Sequence, residues 1–342
     1  MTETAANPLV SVCIPTYNGA EWIEECLDSA LRQTYRPLEI LIIDDVSTDN
    51  TLEIVRAIAD ERIRVVVNAK NHGLVGNWNQ CLRLAQGDYI KFLFQDDTLQ
   101  PHCVERMMRL FARHESLGLV FSPREIILDE RVEAGVARAW LEIYGTLHTR
   151  FANVGEFNDG RALFAQHMRQ FAEHLHKGFI WSCIGEPTTV LIKKECFARV
   201  GSFNPQMRQA CDIEMWLRIM FFYDIGFFDE KLSAFRVHLA SASFANSARK
   251  DWDDPFWLLE SLLIHEEIRA AHPEIAAMRD NLLARSSLLR PSAGWRSLRD
   301  AEGIRQALAD ASRLPQRTRF LMNYYAHRFR RLVGRSRLRE PL

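Results

Sequence analysis

The chain has 342 residues, of which 47% are apolar and 25% are charged, and its formal net charge is −1. This composition is typical of a soluble globular protein with a core of ordinary size, and it excludes a largely disordered chain. The length allows one large domain and a smaller appendage.

The N-terminal residues and the cysteines bear on where the protein resides. Residues 1–18 have no basic segment followed by a long apolar run, so we predict no signal peptide. No run reaches the roughly 18 apolar residues that a membrane-spanning helix needs. The seven cysteines form no Cys-x-x-Cys pair, which favours buried free thiols in a reducing compartment over disulfides or a zinc site. We therefore expect a cytoplasmic protein.

Apolar runs and amphipathic segments alternate over the first 125 residues. The apolar runs predict strands, and the segments between them have the spacing of helices. Strands that are almost continuously apolar and alternate with helices indicate an α/β fold whose parallel sheet is covered on both faces. The predicted strands are residues 9–15, 38–44, 63–67, 89–94 and 118–122, and the predicted helices are residues 20–33, 51–59, 75–85 and 101–114.

The remainder of the chain is less regular. Residues 126–180 are rich in His, Phe and Arg and predict a mixture of helix and loop. Residues 211–222 predict a strong helix, and residues 252–290 have helical spacing. We expect a domain over residues 1–245 with an insertion at 126–180, followed by a helical C-terminal extension over residues 246–342.

Polar and acidic residues follow four of the predicted strands. Ligands of open α/β sheets bind at the carboxyl ends of the strands, so we expect these side chains to line one site. For Asp96 and Asp97 the alternative is a helix cap or a turn. After the second strand Ser47, Thr48 or Asp49 can cap the next helix, which leaves Asp44 and Asp45 unexplained. The strand ends are Pro15-Thr16-Tyr17-Asn18, Asp44-Asp45, Asn68 and Gln95-Asp96-Asp97.

Two longer runs of the sequence resemble segments of a known protein family. The run PTYNGAEWIEECLDSALRQTYRPLEILIIDDVSTDNT resembles the opening signature of family 2 glycosyltransferases. The run NHGLVGNWNQCLRLAQGDYIKFLFQDD resembles the segment that leads to the acidic motif of that family. The resemblance is dense over residues 8–125 and looser over residues 178–240. It implies a GT-A fold, which is a Rossmann-like open sheet that binds a nucleotide sugar, with a helical C-terminal extension.

The resemblance also implies a reaction and a donor site. The expected reaction transfers a sugar, with inversion, from a nucleotide-diphosphate donor such as a UDP-sugar to a hydroxyl acceptor. The resemblance implies that Asp96 and Asp97, with His238 nearby, hold Mg²⁺ or Mn²⁺ and the diphosphate. The donor-binding residues that it implies are Pro15, Thr16, Tyr17, Asn18, Asp44, Asp45, Asn71, Asn79 and Asp96.

The chain departs from the family pattern at two positions beside these residues. Many members have Asp-x-Asp-Asp where this chain has Phe94-Gln95-Asp96-Asp97, so the first acid is missing. Many members have an Arg before the Asn at position 79, and this chain has Trp78 there. We therefore expect no charged donor contact at residue 78.

The acceptor side is expected at the start of helix 211–222. The resemblance implies that Asp212 deprotonates the acceptor hydroxyl. An acid at this position is also a favourable partner for the helix dipole, which we expect to lower its pKa. Glu186 precedes a strand where acceptor contacts are implied, and residues 126–180 are expected on the same side. Trp181 and Trp216 are candidates for stacking on sugar rings, although both also suit a core.

The basic C-terminal segment predicts a partner of its own. Residues 313–342 carry nine Arg and one Glu, which leaves 34 basic against 43 acidic side chains in residues 1–312. Apolar and aromatic residues at helical spacing beside these arginines favour an interfacial helix on an anionic membrane. A packed helix with a solvated basic face is the alternative, and no motif supports nucleic acid. We expect peripheral attachment to the inner face of the cytoplasmic membrane and a saccharide or lipid-linked saccharide acceptor.

Two other functions fit parts of the sequence. A non-catalytic nucleotide-sugar-binding or scaffold protein on the same fold would explain the missing first acid, whereas Asp96, Asp97 and Asp212 favour an enzyme. A nucleotidyltransferase would need a Gly-rich phosphate loop with a basic residue after the first strand. Residues 16–20 contain no basic residue, which disfavours that function.

Overall fold

The computed structural model describes residues 7–133, 141, 154–174, 184–241 and 254–285 of the chain. Trp181 and the basic segment 313–342 therefore lie outside the described residues, as does much of the predicted insertion. No helix in the described ranges is long and apolar enough to cross a membrane. Six of the seven cysteines lie in these ranges, and all six are buried free thiols.

Strands and helices alternate through the first half of the chain, as the sequence predicts. The strands are β1 Val10–Thr16, β2 Leu38–Asp44, β3 Ile63–Val67, β4 Tyr89–Phe92, β5 Thr98–Leu99, β6 Leu117–Phe121, β7 Arg124–Leu128, β8 Phe157–Asn158, β9 Val190–Lys193, β10 Asp224–Phe227 and β11 Ser233–Val237. The helices are α1 Ile23–Leu31, α2 Thr51–Ala57, α3 Gly73–Leu84, α4 Cys103–Arg113, α5 Gly160–His174, α6 Cys196–Val200, α7 Cys211–Phe222, α8 Asp254–Ile264, α9 Glu266–Ala271 and α10 Glu274–Arg285. A 3₁₀ turn, Pro187–Thr189, directly precedes β9.

The main sheet has the strand order β3-β2-β1-β4-β9-β6-β10-β8. Strands β3, β2, β1 and β4 are parallel, and every residue of β1 and β2 is buried, as expected for a sheet covered on both faces. The five strands predicted in the first 125 residues run in one direction, and β9, whose direction the sequence does not predict, runs antiparallel to β4 and β6. Because β9 is reversed, the 3₁₀ turn before it lies at the edge where β4 and β6 end.

A second, three-stranded sheet has the order β5-β11-β7. Strand β11 pairs antiparallel with β5 and parallel with β7. Strand β5 begins at Thr98, directly after the two acids that end the β4 segment. The pairing with β11 therefore brings Arg236 and His238 beside Asp96 and Asp97, although about 140 residues of sequence separate them.

Helix α7 is the most deeply packed helix around the candidate acceptor side. Its residues 214–221 are all buried, because α5, α6, α8 and β6 pack against it. One compact unit extends through Arg279. Helix α8 packs directly on α7 within this unit, and the domain boundary at residue 246 stays a prediction.

Candidate active site

The loops that follow β1 and β2 are joined by side-chain hydrogen bonds. The Asn18 amide N–H donates to Ser47 Oγ at 2.9 Å, and Asn18 Oδ1 accepts the Thr48 amide at 2.8 Å. Thr16 is buried, whereas Tyr17 is 48% exposed. The two loops therefore form a fixed support that presents the Tyr17 ring at the carboxyl edge of the sheet.

Backbone strain accompanies this support. Asn18 has φ 47° and Val46 has φ 67°, which is the left-handed region. Asn tolerates that region, but a β-branched residue does not. Val46→Gly should therefore raise the free energy of unfolding by about 1 kcal/mol, measured by urea denaturation. Val67→Gly is the matched control, because Val67 is similarly exposed at the end of a regular strand and should lose stability. Equal losses in both variants would contradict the strain argument.

The two acids that end β2 are engaged within the chain. Asp44 accepts the Ser47 amide at 2.9 Å. Asp45 accepts the amides of His72 and Gly73 at 2.8 and 2.9 Å, at the start of α3. Asp45 also accepts Asn68 Nδ2 at 2.7 Å. Turn and helix-end hydrogen bonds thus engage both carboxylates within the chain, and their contact with a base stays a prediction.

The two predicted asparagine contacts differ in their surroundings. Asn71 is exposed, and its side chain bonds to the Asp45 carbonyl and the Gly73 amide. Asn79 Nδ2 donates to the Phe203 carbonyl, and Asn79 Oδ1 accepts the Phe203 amide, both at 2.9 Å. Asn79 therefore ties α3 to the segment before α7, and its role in donor binding stays a prediction.

Asp96 and His238 lie side by side at this edge, and both side chains keep some exposure. His238 Nε2 lies 2.8 Å from Asp96 Oδ2, and the two side chains are 7% and 20% exposed respectively. Arg236 donates from Nε to the Asp96 carbonyl at 3.0 Å. Its guanidinium also lies 4.4 Å above the Trp22 ring and pairs with Glu25. Arg236 therefore orients the acidic segment and is already occupied by these contacts.

Asp97 is buried beneath this pair. It accepts Thr188 Oγ1 at 2.6 Å and the Arg236 amide at 3.0 Å. Burial, reinforced by the neighbouring Asp96 carboxylate, raises the pKa of Asp97 well above its usual range. Both carboxylate oxygens therefore have partners, and Asp97 supports the site from below.

Thr188 connects Asp97 to the sheet, and the sequence did not identify it as a site residue. Its Oγ1 accepts the Phe94 amide at 3.2 Å while donating to Asp97. Its carbonyl accepts Lys91 Nζ at 2.6 Å. Lys91 is fully buried, and this burial lowers the pKa of its ammonium group. A Lys within an otherwise apolar strand was the one sequence signal that pointed to a buried polar partner here.

Trp78 and Phe94, the residues at which the chain departs from the family pattern, are in direct contact. The rings of Trp78 and Phe94 stack at 4.9 Å with an interplanar angle of 25°. Phe203 packs edge-on against Trp78 at 5.2 Å. An aromatic stack thus takes both positions at which many family members carry an Arg and an Asp, so the chain replaces two charges together.

Asp212 lies in the first turn of α7 and is partly exposed. Its Oδ1 accepts the Ile213 amide at 2.7 Å. Burial, with smaller contributions from the negative charges of Glu186 and Asp254, raises the pKa of Asp212 to about 7. The predicted lowering by the helix dipole is therefore wrong, because desolvation and two acids from distant segments outweigh it. A carboxyl group with this pKa is matched to proton transfer near neutral pH.

The predicted acceptor contacts Glu186 and Trp216 lie in different surroundings. Glu186 lies near Asp212 and forms a two-point ion pair with Arg124, at 2.6 and 2.7 Å. Trp216 has no exposed surface, and its Nε1 donates to the Gly185 carbonyl at 3.0 Å. A ring without accessible surface cannot stack on a sugar, so Trp216 is a core residue, which corrects that prediction.

The described residues fit a divalent cation through two side chains. Within the described ranges, no three His, Cys, Asp or Glu side chains converge as a metal site. Asp96 and His238 already meet at 2.8 Å and keep some exposure, whereas Asp97 has both oxygens occupied. A carboxylate and an imidazole would leave further positions for diphosphate oxygens and water, the oxygen ligands that Mg²⁺ and Mn²⁺ prefer. Asp96 and His238 are therefore the residues that fit such an ion.

The sequence is similar to a known family and to curated proteins. The family model Glycosyl transferase family 2 matches residues 11–175. An uncharacterized protein of Mycobacterium tuberculosis is 34% identical over 236 residues, which are 69% of each chain. Chondroitin synthase of Pasteurella multocida is 35% identical over 179 residues, which are 50% of this chain and 17% of the synthase.

The fold matches a solved structure over most of its length. The structure of S. aureus TarS 1–349 in complex with UDP-GlcNAc superimposes with a TM-score of 0.55 and 17% identity, covering 90% of this chain and 82% of TarS. The mixed open sheet with its helical C-terminal part is thus a GT-A fold, as the sequence predicts. The sequence matches and the architecture together place the protein in glycosyl transferase family 2.

Proposed function

We propose that this protein is an inverting glycosyltransferase that moves a sugar from a UDP-sugar to a hydroxyl acceptor, with Asp212 as the general base. The observation that carries the proposal is the placement of Glu186 and Thr188 on one turn. Thr188 bonds to Asp97 beneath the candidate donor side, and Glu186 raises the pKa values of both Asp97 and Asp212. Both the candidate base and the acidic pair are therefore within electrostatic reach of this turn, which supports the proposal.

The proposed chemistry is a single displacement. Asp212 accepts the proton of the acceptor hydroxyl, and the hydroxyl oxygen forms a bond to the anomeric carbon. The bond from that carbon to the diphosphate oxygen breaks, and its electron pair leaves with UDP. One displacement inverts the anomeric centre. A divalent cation bound at Asp96 and His238 would neutralise charge on the diphosphate.

The donor and acceptor assignments rest on relatives and on charge. A TarS structure holds UDP-GlcNAc, which makes UDP-sugars the first donors to test. The similarity to a chondroitin synthase supports a saccharide acceptor. The arginines of residues 313–342 support contact with an anionic membrane, which would suit a lipid-linked saccharide. Exposed Tyr17, with Pro15, Thr16 and Asn18 behind it, is proposed to line the base pocket.

Calorimetry with UDP, GDP and dTDP, each with and without Mn²⁺, tests the donor assignment. We expect binding of UDP that is tighter in the presence of Mn²⁺. Binding of another nucleotide instead would retain the enzyme class and change the donor. Absence of nucleotide binding would favour a non-catalytic scaffold protein on the same fold.

His238→Ala should lower UDP affinity in the presence of Mn²⁺ by about tenfold or more. This loss would remove most of the gain in affinity that Mn²⁺ provides. His238 supplies the imidazole of the pair with Asp96, so its loss leaves a single carboxylate for the ion. Titration with UDP in the presence of Mn²⁺ measures the effect. His102→Ala is the control, because the His102 side chain is 60% exposed at the start of α4. An equal Mn²⁺ gain in His238→Ala and the wild type would exclude His238 as a ligand.

A further inference from the structure

Helix α7 begins without a side-chain cap of its own. The residue before it, Ala210, has no side chain that can accept a hydrogen bond, so this position provides no cap. The first amides of a helix need acceptors from elsewhere. Because Asp212 lies in this first turn, whatever holds the entry to α7 also sets the position of Asp212.

Asp254, the first residue of α8, accepts hydrogen bonds from the segment that leads into α7. Its Oδ1 accepts the Arg208 amide at 3.0 Å. Its Oδ2 accepts the Gln209 amide at 2.8 Å and the Ala210 amide at 2.7 Å. Asp254 is 1% exposed, so water does not compete for these bonds. A single carboxylate therefore fixes three consecutive amides that lead into α7.

We propose that Asp254 is a positioning residue for Asp212, which it places by holding residues 208–210 from the neighbouring helix. The inference rests on the proposed function, in which Asp212 is the general base. It assigns a role in the reaction to α8, a helix that contributes no group to the reacting atoms. The restraint acts through the backbone, so a displacement of about 1 Å at Asp212 would be costly for catalysis.

The negative charge of Asp254 also affects Asp212, because it raises the pKa of the Asp212 carboxyl group. Burial, Glu186 and Asp254 all raise the pKa of Asp212, in that order of size. Removing the Asp254 charge should therefore lower that pKa, whereas a purely structural role would leave it unchanged. The other titratable or charged groups in the first turns of α7 are Cys211, Glu214 and Arg218, with Arg208 just before the helix. From the helices packed on α7, His167 lies on α5, and Arg161 of α5 and Arg199 of α6 lie against Phe221 and Phe222 at the far end of α7.

The test is a carboxyl ¹³C NMR titration of the full chain labelled at aspartate, with the Asp212 signal assigned by its loss in Asp212→Asn. In Asp254→Asn we expect the Asp212 midpoint to fall by roughly half a pH unit or more. Glu260→Gln is the control, because Glu260 lies on the same helix and pairs with Arg279. Its Asp212 midpoint should equal that of the wild type.

Turnover separates the failure of this inference from the failure of the proposed function. Asp254→Asn should lower kcat by about tenfold or more while UDP affinity stays unchanged, and Asp254→Glu should restore the charge without the full rate. An unchanged midpoint and an unchanged kcat in Asp254→Asn would overturn the positioning role even if Asp212→Asn is inactive. Full activity of Asp212→Asn would overturn the base assignment instead. If Asp254→Asn does not fold, Asp254→Ser keeps one acceptor oxygen without the charge and gives the same comparison.

Discussion

Asp212→Asn is expected to lower turnover by roughly 10³-fold and to leave UDP affinity unchanged. The amide keeps the size of the carboxyl group but cannot accept the proton of the acceptor hydroxyl. UDP release from the donor in the presence of acceptor measures turnover, and calorimetry measures binding. The acidic pair Asp96 and Asp97 is untouched, which is why binding should survive.

Asp229→Asn is the matched control for this substitution. Asp229 is exposed and follows β10, so its loss should change turnover less than twofold. A fall of similar size in both variants would indicate a general effect of lost negative charge. Turnover of Asp212→Asn within about tenfold of the wild type would contradict its role as the base.

The raised pKa of Asp212 also predicts two pH effects. Because the base must be ionised, kcat/KM should fall about tenfold per unit as pH drops below about 7. The folded state binds this proton more tightly than the unfolded chain, so the associated stability is present at acid pH and lost as pH rises through about 7. Asp212→Asn should therefore be at least as stable as the wild type at pH 8, measured by urea unfolding.

Arg218→Met is expected to lower the free energy of unfolding by about 3–5 kcal/mol. Glu214 has no exposed surface, and Arg218 bonds to it at 2.5 and 2.7 Å. Arg218 also donates to the carbonyls of Val200 and Ser202, just after α6. The substitution leaves a buried carboxylate without its cation, and urea unfolding at pH 8 measures the loss.

Two comparisons isolate the cause of this loss. Adding Glu214→Gln to Arg218→Met should recover part of the stability, because the remaining buried group is then neutral. Arg109→Met removes an exposed helical ion pair with Glu105 and should cost less than about 1 kcal/mol. A small loss in Arg218→Met, comparable to that in Arg109→Met, would show that the buried pair contributes little.

The sequence predicts the parallel half of the sheet well because each strand there is a long apolar run. Strand β9 is equally apolar, but its direction depends on pairing with β4 and β6, which no local pattern records. Strands β7 and β11 are partly polar, and they form a three-stranded sheet with β5 by long-range pairing. The sequence therefore predicts the donor half of the fold and leaves open how the second half folds back onto it.

Contacts between distant parts of the chain also decide what each candidate site residue can do. An acid at a strand end predicts a polar edge, but its partners decide whether it binds a ligand or an amide. Asp45 bonds to amides more than 25 residues away, and Asn79 bonds to Phe203, 124 residues away. The pKa of Asp212 depends on Glu186 and Asp254, which are also remote in sequence. These long-range contacts appear only in the folded chain.

The anomeric configuration of the product tests the central claim most directly. The protein would be incubated with UDP-sugars, Mn²⁺ and saccharide acceptors, and the new linkage would be examined by NMR for the wild type and Asp212→Asn. We predict a glycosidic bond of opposite configuration to the donor, formed by the wild type and absent with Asp212→Asn. A product that retains the donor configuration, or equal product from both proteins, would contradict a single displacement with Asp212 as its base.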